Sequence, residues 1–363
     1  MELHGHPLDE ELINKLTRSP AIELWGMLKR SRHPVERKPC REPTYSSLGI
    51  LEIMPTELLF SIIEFLDFRS LLCLMRVSLE WKMVVEALPA YAALTKHAQG
   101  ELNTLGLTGI IKYHSASVLY RVLLSPKCVS CFEFGGFLFL PTCERICFAC
   151  LLHNQAYWVL PTLLAEECFS LTREEILTLP MVHSIPGTYF VGRSQQTQRW
   201  ACLMVSIKQA KLLANEVHGS SRMTAIKYIE SKPYVRSTVY QQLHHLSLKP
   251  PGCDLSRVPI RGVPMYDTYC GTAAIRFPYV KGGQVDNGRL CRGCEYISQN
   301  FDSLPTRVQE QAVPPGMDKT MPLQAMSTRL RSRGSFIDHI SSCYGVKRLL
   351  AEGKVQVKAH VTC

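Results

Sequence analysis

Apolar residues recur at helical spacing in several stretches of the chain and fall in short β-prone runs elsewhere, which predicts an α+β protein. Near the start, Leu8, Leu12, Ile13, Leu16 and Leu24 mark one or two short helices. The basic, proline-rich run from Arg30 to Pro39 then reads as a solvated spacer. From Leu48 to about Leu94 the pattern sharpens. Pro55 fits the first turn of a helix that carries Leu58, Leu59, Ile62, Phe65 and Leu66, and Asp67 to Ser70 supply a break and a cap. Leu74, Val77, Trp81, Val84 and Leu88, three and four apart, predict a further helix that ends at Pro89. Residues 96–125 continue as connecting helix. Further on, Thr172-Arg173-Glu174-Glu175 is a capping-box pattern, Ser206 and Gly219 bracket a full helix, and Ala273 to Phe277 are β-prone. Residues 303–334 mix Pro, Gln, Met and Arg without periodicity and read mostly as loop.

Composition narrows the class. The 363 residues are 46% hydrophobic and 20% charged, enough for two or three globular domains. The net charge of +10 is mild for this length and does not by itself indicate nucleic acid. The absence of an eighteen-residue apolar run and of a basic-then-apolar start predicts a soluble intracellular chain, cytoplasmic or nuclear, with no membrane partner.

The fifteen cysteines change the picture. Chance would place about 0.6 Cys-x-x-Cys pairs in such a chain, and three are present: Cys128/Cys131, Cys147/Cys150 and Cys291/Cys294. Fifteen residues separate Cys131 from Cys147, a recognised zinc spacing in which two knuckles aim four thiolates at one point. Between them Gly135-Gly136 reads as the turn of a tight β-hairpin that would bring the knuckles together. Cys143 and His153 are spare donors nearby. The third knuckle has no adjacent pair, but His339 and Cys343 stand four apart, on one face of a helix, and would complete a Cys-Cys-His-Cys tetrahedron. Phe336, Ile340 and Leu349 could pack that helix on the core. Cys253 and Cys270 could each replace a ligand there. Cys40 and Cys363 read as incidental thiols, and Cys73, Cys168 and Cys202 as core residues.

The run Leu51-Glu52-Ile53-Met54-Pro55-Thr56-Glu57-Leu58-Leu59 resembles the opening of an F-box, and Val77-Ser78-Leu79-Glu80-Trp81 its Val-Ser-x-x-Trp signature. Met54-Pro55 stands where the family usually carries Leu-Pro. The resemblance implies that Pro55, Leu58, Leu59, Ile62, Leu71, Leu74, Val77 and Trp81 bury at a Skp-family adaptor or support that surface, and that the adaptor links the protein to cullin. The cysteine motifs, together with Val205 to Lys211 and Phe336-x-x-His339-x-x-x-Cys343, resemble a group of fungal F-box proteins with cysteine-rich C-terminal regions. The organisation expected is a helical and basic segment at 1–47, the F-box at 48–95, a connecting helix at 96–125, a mixed helix and hairpin domain with structural zinc at 126–350, and a tail at 351–363.

The sequence lacks the hydrolase, deaminase and phosphate-loop patterns, and each candidate metal site closes with four ligands, which points to folding rather than catalysis. A RING would need eight interleaved ligands, and residues 128–153 offer six at most. The function expected is a non-catalytic substrate receptor of a Skp–cullin–F-box ubiquitin ligase, with an unknown protein target. A zinc-dependent nucleic-acid-binding protein, prompted by Arg329-Leu330-Arg331-Ser332-Arg333, is one alternative, set back by scattered basic residues. An F-box protein acting with the adaptor outside a cullin complex is the other.

Overall fold

A computed structural model of the protein describes residues 10–18, 46–191, 194–219 and 269–355. The basic spacer at 30–39, Cys40, Cys253 and Cys363 lie outside the described residues, and of Cys270 only the backbone is described.

Four short helices, Thr56–Ile63, Phe68–Leu74, Leu79–Ala87 and Pro89–His97, open the helical region. Local chemistry starts each one. Pro55 is the N-cap of the first, while Asp67 accepts from the Ser70 N–H and Ser78 from the Trp81 N–H. Ser78 divides the run from Leu74 to Leu88, which the spacing predicts as one helix, because its hydroxyl caps a new N-terminus. Pro89 likewise begins the next helix, where its missing N–H costs nothing. The connection at 96–125 holds two further helices, Gln99–Leu107 and Ala116–Leu124, parted by Gly109 at a φ of 72° and restarted by the Ser115 cap.

The buried side chains of these helices, Leu59, Leu71, Trp81, Leu94, Leu105 and Leu119 among them, share one apolar core with Phe137, Phe139, Ile146 and Ile275 of the cysteine-rich region. In that region Phe137–Phe139 lies antiparallel between Glu144–Ile146 and Ala274–Arg276. The hairpin turn falls at residues 140–143, with Cys143 at a φ of 53°, and not at Gly135-Gly136 as the sequence suggests. Those glycines serve close approach instead. A Cβ on Gly135 would lie 2.5 Å from Arg145 Cγ, and one on Gly136 would collide with Leu330.

A second antiparallel sheet places Leu203–Ser206 between Val159–Pro161 and Met181–His183. It leads through the Ser206 cap into the helix Ile207–His218, which closes at Gly219, and Thr172 with Glu175 forms the capping box, both as the sequence predicts. Cys168 is buried, Cys202 is half-buried, and Cys73, expected in the core, is exposed.

The last part of the chain packs five helices, Arg292–Gln299, Thr306–Ala312, Thr320–Thr328, Arg333–Ser342 and Tyr344–Ala351, around Ile297, Leu323, Phe336, Ile340, Val346 and Leu349. Two of them occupy the stretch at 303–334 expected to be mostly loop. The first of those two buries only Ala312, so no apolar stripe announces it. The fold is thus a helical region followed by a mixed helix and small-sheet region. No helix among the described residues is long and apolar enough to cross a membrane.

Candidate metal centres and an exposed helical face

The first cysteine group assembles from two knuckles held by backbone bonds. The Cys128 N–H donates to the Glu133 carbonyl at 2.7 Å, and the Val129 N–H donates to the Arg145 carbonyl at 2.9 Å, tying the first knuckle to the strand that leads into the second. Cys147 caps the helix Phe148–His153, its Sγ accepting the Cys150 N–H. The Ser130 N–H donates in the same way to Cys128 Sγ at 3.4 Å. Each knuckle therefore folds its own amide onto its first sulfur, which steadies a thiolate. The Sγ atoms of Cys128, Cys131, Cys147 and Cys150 all lie within 4.8 Å of one another, with Cys131 to Cys147 at 3.6 Å. A tetrahedron with metal–sulfur bonds of ~2.3 Å has edges of about 3.8 Å, so the four donors fit a single ion. Neither Cys143 nor His153 belongs to the group.

The second group brings together Cys291, Cys294, His339 and Cys343, again within 4.8 Å. Cys291 and Cys343 are 4.0 Å apart, and Cys294 Sγ is 3.2 Å from His339 Nε2. His339 sits in the last turn of the helix Arg333–Ser342, and the Cys343 N–H donates to its carbonyl at 2.9 Å, which keeps the two on one face. Gly293 and Gly345 let the knuckle and the following helix touch backbone to backbone, where a Cβ on either would clash. Arg331 Nη2 lies 3.8 Å from Cys294 Sγ, a positive group beside a thiol-rich set.

Both groups could hold a metal ion. The Cys131 thiol, with those of Cys147 and Cys150, donates to Cys128 and holds it far below the usual thiol range, while Cys147 and Cys150 are pushed well above it, chiefly by Cys128. In the second group Cys291 and Cys294 pull Cys343 down, and Cys291 is driven up. Within each group some thiols are held down, Cys128 and Cys131 in the first and Cys343 in the second, at the expense of the others. A cation at the centre is what would allow all of them to ionise together. Buried thiols outside the groups behave differently, burial, helped by the neighbouring carboxylates Glu144 and Glu167, pushing Cys143 and Cys168 up to about 12.

Arg145, which no sequence pattern singles out, ties the first centre to its surroundings. It is 1% exposed, and its guanidinium donates to the carbonyls of Val122, Gly135, Phe277 and Pro278 at 2.6–3.1 Å. Burial pulls it down to about 9. One side chain thus joins the helix Ala116–Leu124, Gly135 after the first knuckle and the residues that follow the strand Ala274–Arg276.

On the helical region, the eight positions assigned to an adaptor divide. Leu58, Ile62 and Val77 are 56%, 53% and 62% exposed, Pro55 is exposed and Leu74 is half-buried. Leu59, Leu71 and Trp81 are buried in the chain's own core and so support this face from beneath rather than presenting themselves to a partner. Ile50, Ile53, Phe65 and Met83 are also largely exposed, and helical spacing alone does not reveal which side of each helix they take. Leu66, Leu74, Val77 and Lys112 line an open concavity of about 560 Å³ beside them.

No curated protein and no solved structure matches the chain. The family model described as F-box-like does match, over residues 51–88, so the stretch that leaves these apolar side chains outside is an F-box-like domain.

Proposed function

We propose that the protein is the substrate receptor of a Skp–cullin–F-box ubiquitin ligase. The observation that carries this reading is a set of large apolar side chains, Ile53, Leu58, Ile62, Phe65 and Val77, left in solvent within a stretch that matches the F-box-like family. Exposed apolar groups of this density mark an interaction surface. Leu58 and Ile62, four apart on one helix, are the kind of anchors that seat helices in a partner's groove. The partner is a Skp-family adaptor and, through it, cullin.

The cysteine groups hold zinc, because thiolate-rich tetrahedra with one imidazole or none suit that ion over harder cations. Each set supplies four donors from the protein and leaves no position for water, so the metal's role is to fold the region that presents a surface to the target. The receptor itself supplies no catalytic group. It raises the rate of ubiquitin transfer by holding the target near the charged carrier.

The test is binding of the purified full-length chain to a purified Skp-family adaptor, with and without Leu58→Asp plus Ile62→Asp. Both positions are exposed, so melting should stay unchanged while affinity falls at least 100-fold, about 2.8 kcal/mol. Retention of wild-type affinity overturns the adaptor reading. Recovery of adaptor without cullin from cells overturns the ligase reading alone.

A further inference from the structure

Residues 10–18 serve neither the exposed helical face nor either ligand set, yet they are built into the second metal centre. Glu10–Leu16 is a seven-residue helix, too short to persist alone in water. Its apolar side chains, Leu12, Ile13 and Leu16, are buried in the same core that holds Cys291, Cys294 and Cys343. Thr17 and Arg18 then run antiparallel to Leu290 and Cys291, with Thr17 paired to the metal-ligand position itself. The knuckle returns the contact. Arg292 Nη1 donates to the Lys15 carbonyl at 3.0 Å, one of the carbonyls that a helix C-terminus leaves without an internal partner. Ion pairs close the edges: Arg18 with Glu295 at 3.1 Å, and Glu10 with Arg289 and with Arg333 at the start of the helix that carries His339.

We infer that residues 10–18 are a docked peptide that clasps the second metal centre, so that docking of this segment and metal binding at Cys291, Cys294, His339 and Cys343 are thermodynamically coupled. The second centre takes its ligands from two pieces separated by forty-four residues. A segment that touches both the knuckle and the His339 helix holds those pieces at their bound spacing before the metal arrives, which strengthens binding by preorganisation. Coupling is reciprocal, so the metal must hold the segment as firmly as the segment helps the metal. The groove also defines what fits it: an acidic start, apolar residues at the third, fourth and seventh positions of a short helix, then an extended Thr-Arg pair.

The inference rests on the metal reading above, and the experiment separates the two. Hydrogen exchange at amides 12–18 and competition with a colorimetric zinc chelator are measured on the full-length chain. In wild type, removal of the second metal should speed exchange at 12–18 at least tenfold, and Cys343→Ser should do the same while the first centre stays loaded. Leu12→Asp plus Leu16→Asp should yield one of the two metals at a chelator concentration at least tenfold lower. Arg18→Gln, which spares the core, should shift that concentration about threefold in the same direction. Exchange at 12–18 that ignores the metal, or variants that keep both metals as wild type does, overturns the coupling alone. A wild-type chain that carries a single metal, with the second group free of it, overturns the metal reading and the coupling together.

Discussion

The two candidate metal centres offer nearly the same donors in opposite topologies. The first gathers all four from residues 128–150, with one short hairpin closing the loop. The second spans residues 291–343, with two helices inserted between its knuckle and its His–Cys pair. Lengthening a closed loop costs entropy only slowly, so the wider span is tolerated, but it needs neighbours to hold its register. The cores differ as well. Cys128 and Cys150 belong to the same apolar core as Leu59, Leu71 and Trp81 under the exposed helical face, whereas Cys291, Cys294 and Cys343 sit in a separate core of C-terminal helices and residues 10–18. The first centre should therefore govern the F-box-like domain, and the second should not.

The largest effect follows from Cys128→Ser plus Cys131→Ser. A structural zinc contributes about 10–16 kcal/mol to folding in small modules, comparable with the entire stability of a typical domain. This variant should lose the first metal, lose the cooperative melting of the helical region and lose adaptor binding. Cys343→Ser should also lose one metal, yet leave adaptor binding intact and the helical transition within a few degrees of wild type. Atomic emission and calorimetry on both variants check this. Equal collapse in the two would erase the distinction between the centres.

Arg145→Met sharpens the same comparison without touching a ligand. The substitution keeps much of the volume and strips hydrogen bonds from four carbonyls in the first core; Val122 keeps the Ser125 N–H, and each of the other three left orphaned costs about 1–3 kcal/mol. Some carbonyls will find water, so a net loss of about 3–5 kcal/mol is expected in chemical denaturation, with the second metal retained. A loss below about 1 kcal/mol would mean that the guanidinium does not join the helices to the first centre.

What the sequence makes legible here is what local chemistry decides. The Cys-x-x-Cys spacings, the Thr172 box and the Ser206 cap each depend on residues a few positions apart, and each forms. Ser78 could have been read in the same way, as a cap that breaks the Leu74 to Leu88 run, but periodicity is the louder signal and bridges it. The hairpin turn went astray because Gly-Gly is ambiguous. It marks a turn when the chain must reverse and a close approach when a neighbour presses in, and only the folded chain supplies Arg145 and Leu330 as that neighbour. Arg145 itself reads as an ordinary surface arginine, since its carbonyl partners come from residues 23 positions before it and 133 after it. The same reason hides the docking of residues 10–18, whose contacts lie some 277 positions away.

The smallest effect tests the seam between the helical region and the first centre. His114 is buried, and its Nε2 donates to the Leu140 carbonyl at 2.7 Å, at the turn of the hairpin that joins the two knuckles. Burial holds this imidazole below its ordinary range, an effect only partly offset by that bond. The unfolded chain takes up the proton near pH 6.5, the folded chain only at lower pH. Between those values the unfolded state binds more protons, so stability is complete above pH 6.5 and declines as pH falls toward the lowered value. His114→Gln keeps a donor for the Leu140 carbonyl and removes the titration. Proton competition for the thiolates of both centres also weakens the protein in acid, but it acts alike on wild type and variant. The difference in unfolding free energy between them, followed from pH 7.5 to 5.5, should therefore shift in favour of the variant as the pH drops. A difference that stays flat would mean that His114 charges as readily inside the fold as outside it, and that the seam admits water.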